Sequence, residues 1–99
     1  MLAKRFFKTK DEVEVLFEID LPFAESVDLI ADVFGWDPIP MKRANGGRGP
    51  FRLRLRLPKD QAIQFRYRVD LTEYENDHAA DDYWPNEHGS DNSVVLTNA

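Results

Sequence analysis

The chain has 99 residues, of which 42% are apolar and 31% are charged, with a formal net charge of −5 and no cysteine. This is one domain's length of globular composition, which excludes a wholly disordered chain. The lack of cysteine excludes disulfides, thiolate catalysis and cysteine zinc sites. No apolar run could span a bilayer and no apolar segment follows the basic start, so we expect a cytoplasmic protein.

The first half of the chain predicts strands and turns rather than helices. Residues 1–10 are basic and are predicted to form an N-terminal arm. Apolar side chains alternate with mostly acidic ones over residues 11–19, which is the period of a strand with one buried face. A second strand is predicted over 27–32 and a short one over 41–43, separated by glycine and proline at 34–40.

The second half continues the same pattern. A glycine-rich loop at 45–50 precedes a strict alternation of apolar and basic residues over 51–57. Residues 62–69 alternate again, 70–73 are predicted to form a tight connection, 75–92 are acidic and irregular, and 93–97 form a last strand. About six strands without an amphipathic helix predict an all-β fold, an antiparallel β-sandwich that forms a single domain over residues 11–99.

The charges are segregated along the sequence. Residues 41–69 carry nine basic groups and one acid, whereas residues 70–92 carry eight acids and no lysine or arginine. Two complementary faces of one small fold would explain this arrangement. The net acidity argues against nucleic acid and against anionic membranes as partners.

No catalytic motif is present in the sequence. It lacks the glycine and serine patterns of hydrolases and nucleotide-binding enzymes, and the acidic segment offers no opposed carboxylate pair. His78 and His88 lie near acidic residues, but their spacing matches no metal-ligand motif. We therefore expect a non-catalytic protein without a cofactor or a metal.

A stripe of three arginines lies on one side of the predicted strand 51–57. Arg52, Arg54 and Arg56 share one face because side chains at i, i+2 and i+4 point the same way. The aromatic residues fall on the opposite, core-facing side of the strands. They could therefore not stack on bases beside the arginines, which disfavours single-stranded nucleic acid as a ligand. The stripe could pair with the acidic segment, protect the sheet or dock a protein partner.

Several aromatic residues fall outside the regular alternation. Trp36 lies among glycine and proline, and Tyr74, Tyr83 and Trp84 lie in the acidic segment. Such a tryptophan is either a core plug or an exposed platform. An exposed indole suits the C–H face of a sugar ring, with neighbouring amide and cationic side chains bonded to the hydroxyls.

The order of several short motifs resembles a known family. These motifs are VLFEI (15–19), AESVDLI (24–30), ADVFGW (31–36), MKR (41–43), GPF (49–51), LRLP (55–58), QFRYRVD (64–70) and NEHGSDNSVV (86–95). Together they resemble the isoamylase N-terminal or early-set domains and family-48 carbohydrate-binding modules. Glycogen-binding domains of AMP-activated protein kinase β subunits and N-terminal modules of glycogen branching enzymes show the most similar pattern.

The resemblance implies an immunoglobulin-like sandwich that binds α-1,4-glucan, such as glycogen, starch or a malto-oligosaccharide. By this resemblance Trp36 stacks on glucose, Arg66 and Asn92 contact sugar hydroxyls, and Tyr74 supplies a second aromatic wall. The chain departs from the family pattern at Phe34, at Leu71 and at His88. The alternative is an interaction module of the same fold that has lost sugar binding and docks a glucan-metabolising enzyme or a kinase.

Overall fold

In the computed structural model, which describes residues 1–98 apart from the side chain of Asn45, the chain forms ten strands. Ala99, the last residue of the predicted domain, lies outside the described residues. Turns of 3₁₀ helix follow β3 and β5. The strands are β1 Leu2–Phe6, β2 Glu12–Ile19, β3 Val27–Ala31, β4 Ile39–Pro40, β5 Lys42–Arg43, β6 Phe51–Pro58, β7 Ala62–Val69, β8 Glu73–Glu75, β9 Asp82–Pro85 and β10 Asp91–Leu96.

The strands form two antiparallel sheets that pack together. The first sheet has the order β1-β2-β6-β5, and the second has the order β4-β3-β7-β10-β9, with β8 paired to β7. This confirms the all-β antiparallel sandwich. The immunoglobulin-like strand order in particular stays a prediction.

The core lies between the two sheets and is built from the inward positions of the alternating strands. From β2 and β7 the inward residues are Val13, Val15, Phe17, Ile19, Ile63, Phe65, Tyr67 and Val69, all buried. Phe65 packs edge-on against Phe17, with ring centroids 5.0 Å apart, and edge-on against Tyr67 at 5.7 Å. This geometry is favourable between aromatic rings and adds to the burial of their large apolar area.

The structure corrects the prediction of an N-terminal arm. Within residues 1–10, β1 pairs with β2 along its whole length, from Leu2 opposite Phe17 to Phe6 opposite Val13. These residues are therefore an edge strand of the first sheet. Just after β1, Phe7 lies beneath the guanidinium of Arg56 at 4.9 Å, which adds a side-chain contact to the first sheet.

The acidic segment 70–92 also contains two strands that the sequence pattern does not show. All four residues of β9 are exposed, and β8 has only three residues. Neither strand buries one face, so neither produces the apolar alternation by which strands are recognised. Both are held instead by backbone pairing to β10 and β7.

The arginine stripe is paired with acids of the neighbouring strand. β2 and β6 are antiparallel neighbours, and their outward charges form three ion pairs: Arg52–Glu18 at 2.5 Å, Arg54–Glu14 at 3.8 Å and Arg56–Glu12 at 3.9 Å. Pairing of this stripe with the acidic segment 70–92 is therefore wrong. Exposed pairs of this kind stabilise a fold little, but they offset the positive charge of the stripe.

A buried polar network anchors the acidic segment to the core. Asp77 is 1% exposed. Its Oδ2 accepts a hydrogen bond from the Tyr67 hydroxyl at 2.6 Å, and its Oδ1 accepts one from the backbone N–H of Ala79 at 2.8 Å. Its own N–H donates to Oγ of Ser93 in β10 at 2.9 Å. Burial, followed by the hydrogen bond and charge of Asp77, raises the pKa of Tyr67 far above its ordinary value.

We expect this tyrosine to make the protein less stable at alkaline pH. The unfolded tyrosine ionises near pH 10, whereas the folded one stays neutral, so its stabilising contribution is complete below pH 10 and falls above it. The slope from this one group is about 1.4 kcal/mol per pH unit. Urea unfolding between pH 8 and pH 11 measures it, and Tyr67→Phe should show a shallower decline. Equal slopes for the two proteins would contradict the assignment.

The turn between β7 and β8 holds two residues in the left-handed region. Asp70 has φ 49° and Leu71 has φ 66°, and the Leu71 side chain is 65% exposed. Asp70 tolerates this conformation well, and its Oδ1 accepts the backbone N–H groups of Glu25 and Ser26. Leu71 has no such compensation, because its Cβ crowds the backbone and its side chain contributes little packing.

We predict that Leu71→Gly stabilises the protein by about 1 kcal/mol, because glycine adopts this conformation without a Cβ clash. Leu71→Ala is the matched control, since it removes the same exposed side chain but keeps the Cβ. Urea denaturation of the three proteins measures the difference. A glycine variant no more stable than the alanine variant would show that this turn is unstrained.

Candidate functional site

An open groove of about 1200 Å³ lies on the outer face of the second sheet. We call it the outer groove. The four residues that the family resemblance singled out, Trp36, Arg66, Tyr74 and Asn92, all line it. Four different segments of the chain supply them, so the fold brings together residues that are up to 56 positions apart in the sequence.

The alternation of β7 creates the floor of the groove. Its odd-numbered residues point into the core, so Gln64, Arg66 and Arg68 must point outward. The register sets Ile30 of β3 opposite Arg66, and Tyr74 of β8 opposite Arg68. These cross-strand partners share the outward face, which explains why they line the same groove.

Trp36 stands at one end of the groove on a tight turn that follows β3. Its backbone N–H donates to the carbonyl of Ala31 at 2.9 Å, and Gly35 donates to Asp32 at 3.0 Å. Gly35 and Trp36 both have positive φ, 66° and 63°. That conformation is unfavourable for tryptophan. Trp36 as a residue is 40% exposed, which favours a platform over a core plug.

Arg66 lies at the centre of the floor and stacks on Tyr74. Its guanidinium carbon is 5.4 Å from the Tyr74 ring centroid, within the range of a cation–π contact. The neighbouring Arg68 is neutralised by Asp28, whose Oδ2 lies 2.8 Å from Nη2. Among the described residues, Arg66 has no ion pair and its buried Nε has no hydrogen-bond partner. Arg66 is thus the cation of the groove with unused donors.

Asn92 lies on β10 and is 8% exposed. Its Nδ2 donates to Oε1 of Gln64 at 3.1 Å, and its Oδ1 accepts from Nδ2 of Asn86 at 3.2 Å. Asn86 in turn accepts the backbone N–H groups of His88 and Ser90. Asn92 therefore ties the floor of the groove to the loop at its rim, with one N–H and one lone pair left over.

Sequence reasoning missed several residues of the groove. Gln64 and Arg68 could have been found from the sequence, because they lie two residues before and after Arg66 on the same strand and so share its face. Asn86 carries no such signal, because its role depends on the loop that it closes. The remaining lining residues that had no predicted role are Ile30, Pro38, Pro85 and Glu87. His88 was noted for its acidic neighbours and as a departure from the family pattern, but not as a residue of the groove.

His78 and His88 were the possible metal ligands in the sequence. Among the residues that the structure describes, no cluster of three histidine, aspartate or glutamate side chains could hold a metal ion. No helix within residues 1–98 is long and apolar enough to cross a membrane.

In comparison with known proteins, no protein-family model matches this chain, and no curated protein matches it either.

We predict that the Arg66–Tyr74 contact couples the two side chains by about 0.5–1 kcal/mol, the usual strength of an exposed cation–π pair. A double-mutant cycle with Arg66→Met and Tyr74→Ala, measured by urea unfolding, gives this coupling energy. If Tyr74→Phe replaces Tyr74→Ala in the cycle, the coupling energy should fall close to zero, because the ring and its contact with Arg66 remain. A coupling energy of zero would mean that the stacking does not order Arg66.

Proposed function

We propose that the protein is a non-catalytic module that binds α-1,4-glucan, such as glycogen or starch, in the outer groove. One observation carries the proposal. An exposed indole, a cation with free donors and a set of side-chain amides lie on a single open groove. The family resemblance supports the same conclusion, because it selects four residues that all line this groove.

The chemistry of these groups suits a sugar chain. The flat apolar face of Trp36 matches the C–H face of a pyranose ring. Arg66 presents donors in a planar fork, while Asn92 and Gln64 present both donors and acceptors to hydroxyl groups. The groove opens to solvent, so a segment within a polymer can enter it from the side. Weak affinity at one site would be multiplied by avidity on a branched or clustered polymer.

The carboxylate content of the groove supports a binding role rather than hydrolysis. Glu87 is the one carboxylate among the described residues that line it, and it is exposed. Glycoside hydrolysis ordinarily needs two carboxyl groups that flank the scissile bond.

A second candidate function is a protein-interaction module of the same fold. Its supporting observation is Phe23, which is 97% exposed at the tip of a short loop. The arginine stripe supports it less, because Glu12, Glu14 and Glu18 neutralise that face. A glucan-metabolising enzyme or a kinase remains the proposed partner class for this candidate.

The test of glucan binding is a calorimetric titration with maltoheptaose. We expect saturable binding by the wild type and at least a tenfold loss in Trp36→Ala, because the stacking platform is removed. Val33→Ala is the matched control, since Val33 is 39% exposed in the same turn but does not line the groove. No heat of binding at millimolar sugar, with all three proteins folded, would refute the proposal.

A further inference from the structure

A second tryptophan lies on the same face of the sheet, beyond the edge of the outer groove. In the register of β9 and β10, Trp84 is directly opposite Asn92, which lines the groove. Antiparallel partners point to the same side of a sheet, so Trp84 lies on the outward face with Asn92. The neighbouring Tyr83 points to the other side of the sheet, because side chains alternate along a strand. The Tyr83 hydroxyl donates to the carbonyl of Asp77.

The indole of Trp84 is exposed to solvent, and a hydrogen bond fixes its orientation. It is 39% exposed, almost as much as Trp36. Its Nε1 donates to Oδ2 of Asp82 at 3.2 Å, two residues earlier on the same face of β9. The one polar atom of the ring is therefore satisfied within the protein, and the ring faces remain as unused apolar surface. A large apolar side chain in this state contributes little to folding.

The edge strand that carries Trp84 is fixed to the rest of the groove. β9 pairs with β10 from Asp91 opposite Pro85 to Val94 opposite Asp82. Asn86, the residue after β9, donates from Nδ2 both to Oδ1 of Asn92 and to Oγ of Ser90. The platform is thus held in place before any ligand arrives, which lowers the entropic cost of binding.

The two tryptophans lie at opposite ends of the outward face. Trp36 is bonded to the end of β3, and Trp84 lies on β9, with β7 and β10 between them. Three steps between neighbouring strands, each about 4.8 Å, separate these ends by about 14 Å across the sheet. Consecutive glucose rings of an α-1,4 chain are spaced by about one such strand step, so two rings that stack on the two indoles are three glycosidic links apart. A ligand that touches both rings must therefore be an oligosaccharide or a polymer that crosses the strands.

We propose that Trp84 is a second stacking platform, which extends the glucan site across the sheet and makes it selective for long chains. The glucan would run from Trp36 over Arg66 and Asn92 to Trp84. This proposal depends on the proposed function of the groove. It assigns the edge strand β9 a binding role and defines the substrate class as linear segments longer than a trisaccharide.

The test compares maltotriose with maltoheptaose by calorimetry. For Trp84→Ala we expect the dissociation constant for maltoheptaose to rise about threefold to tenfold, as expected for the loss of one stacking contact. Binding of maltotriose should change less than about twofold. Trp84→Phe should retain most of the affinity, because a ring remains. Phe23→Ala is the control for removal of an exposed aromatic residue elsewhere.

Fluorescence gives an independent readout, because the chain has two tryptophans. In Trp36→Phe, Trp84 is the single indole, and its emission should respond to maltoheptaose but not to maltotriose. In Trp84→Phe, the emission of Trp36 should respond to both sugars.

The outcomes separate the two proposals. If wild type binds neither sugar, the function of the groove itself is wrong and the second platform is rejected with it. Suppose that wild type binds maltoheptaose, that Trp84→Ala binds it equally well, and that the emission of Trp84 in Trp36→Phe does not change. Glucan binding then stands and the second platform is overturned. Equal loss for both sugars in Trp84→Ala would also overturn the length selectivity.

Discussion

The alternation of side chains along β7 is the constraint on which the rest of this structure depends. Residues with odd numbers fill the core, where Phe65 packs between Phe17 and Tyr67. Residues with even numbers must then face outward, and they form the floor of the outer groove. A shift of β7 by one residue would put charges into the core and phenyl rings into water. The same apolar packing that stabilises the sandwich therefore fixes the position of Arg66.

Polar anchors hold the less regular parts of the chain to this frame. The segment after β8 buries little apolar surface, so hydrogen bonds and ion pairs must hold it in place. Asp77 accepts a hydrogen bond from the Tyr67 hydroxyl. Nζ of Lys4 in β1 lies 2.6 Å from Oδ2 of Asp81. Oδ2 of Asp81 also accepts the backbone N–H of Leu96 at 2.8 Å. Because β9 follows directly, these contacts position the edge of the outward face.

Charge has a different role on each face of the sandwich. On the first sheet Arg52, Arg54 and Arg56 are matched by glutamates of the adjacent strand, which offsets the positive charge of the stripe. On the second sheet Asp28 neutralises Arg68, while Arg66 stacks on an aromatic ring. Within residues 1–98 Arg66 has no acid partner, so its guanidinium donors are free for a ligand under the proposed function.

The sequence by itself determined the fold class and most of the longer strands, because apolar alternation over eight residues has few other physical interpretations. It also indicated Trp36, Arg66, Tyr74 and Asn92, through the order of short motifs. It did not show β1, β8 or β9, since short strands without a fully buried residue leave no clear periodic signal. Nor could it show that Arg52, Arg54 and Arg56 pair with β2, because register is decided by the packing of the whole sheet. Only the tertiary structure decided that the two tryptophans share one face, since strands far apart in sequence become neighbours through backbone pairing.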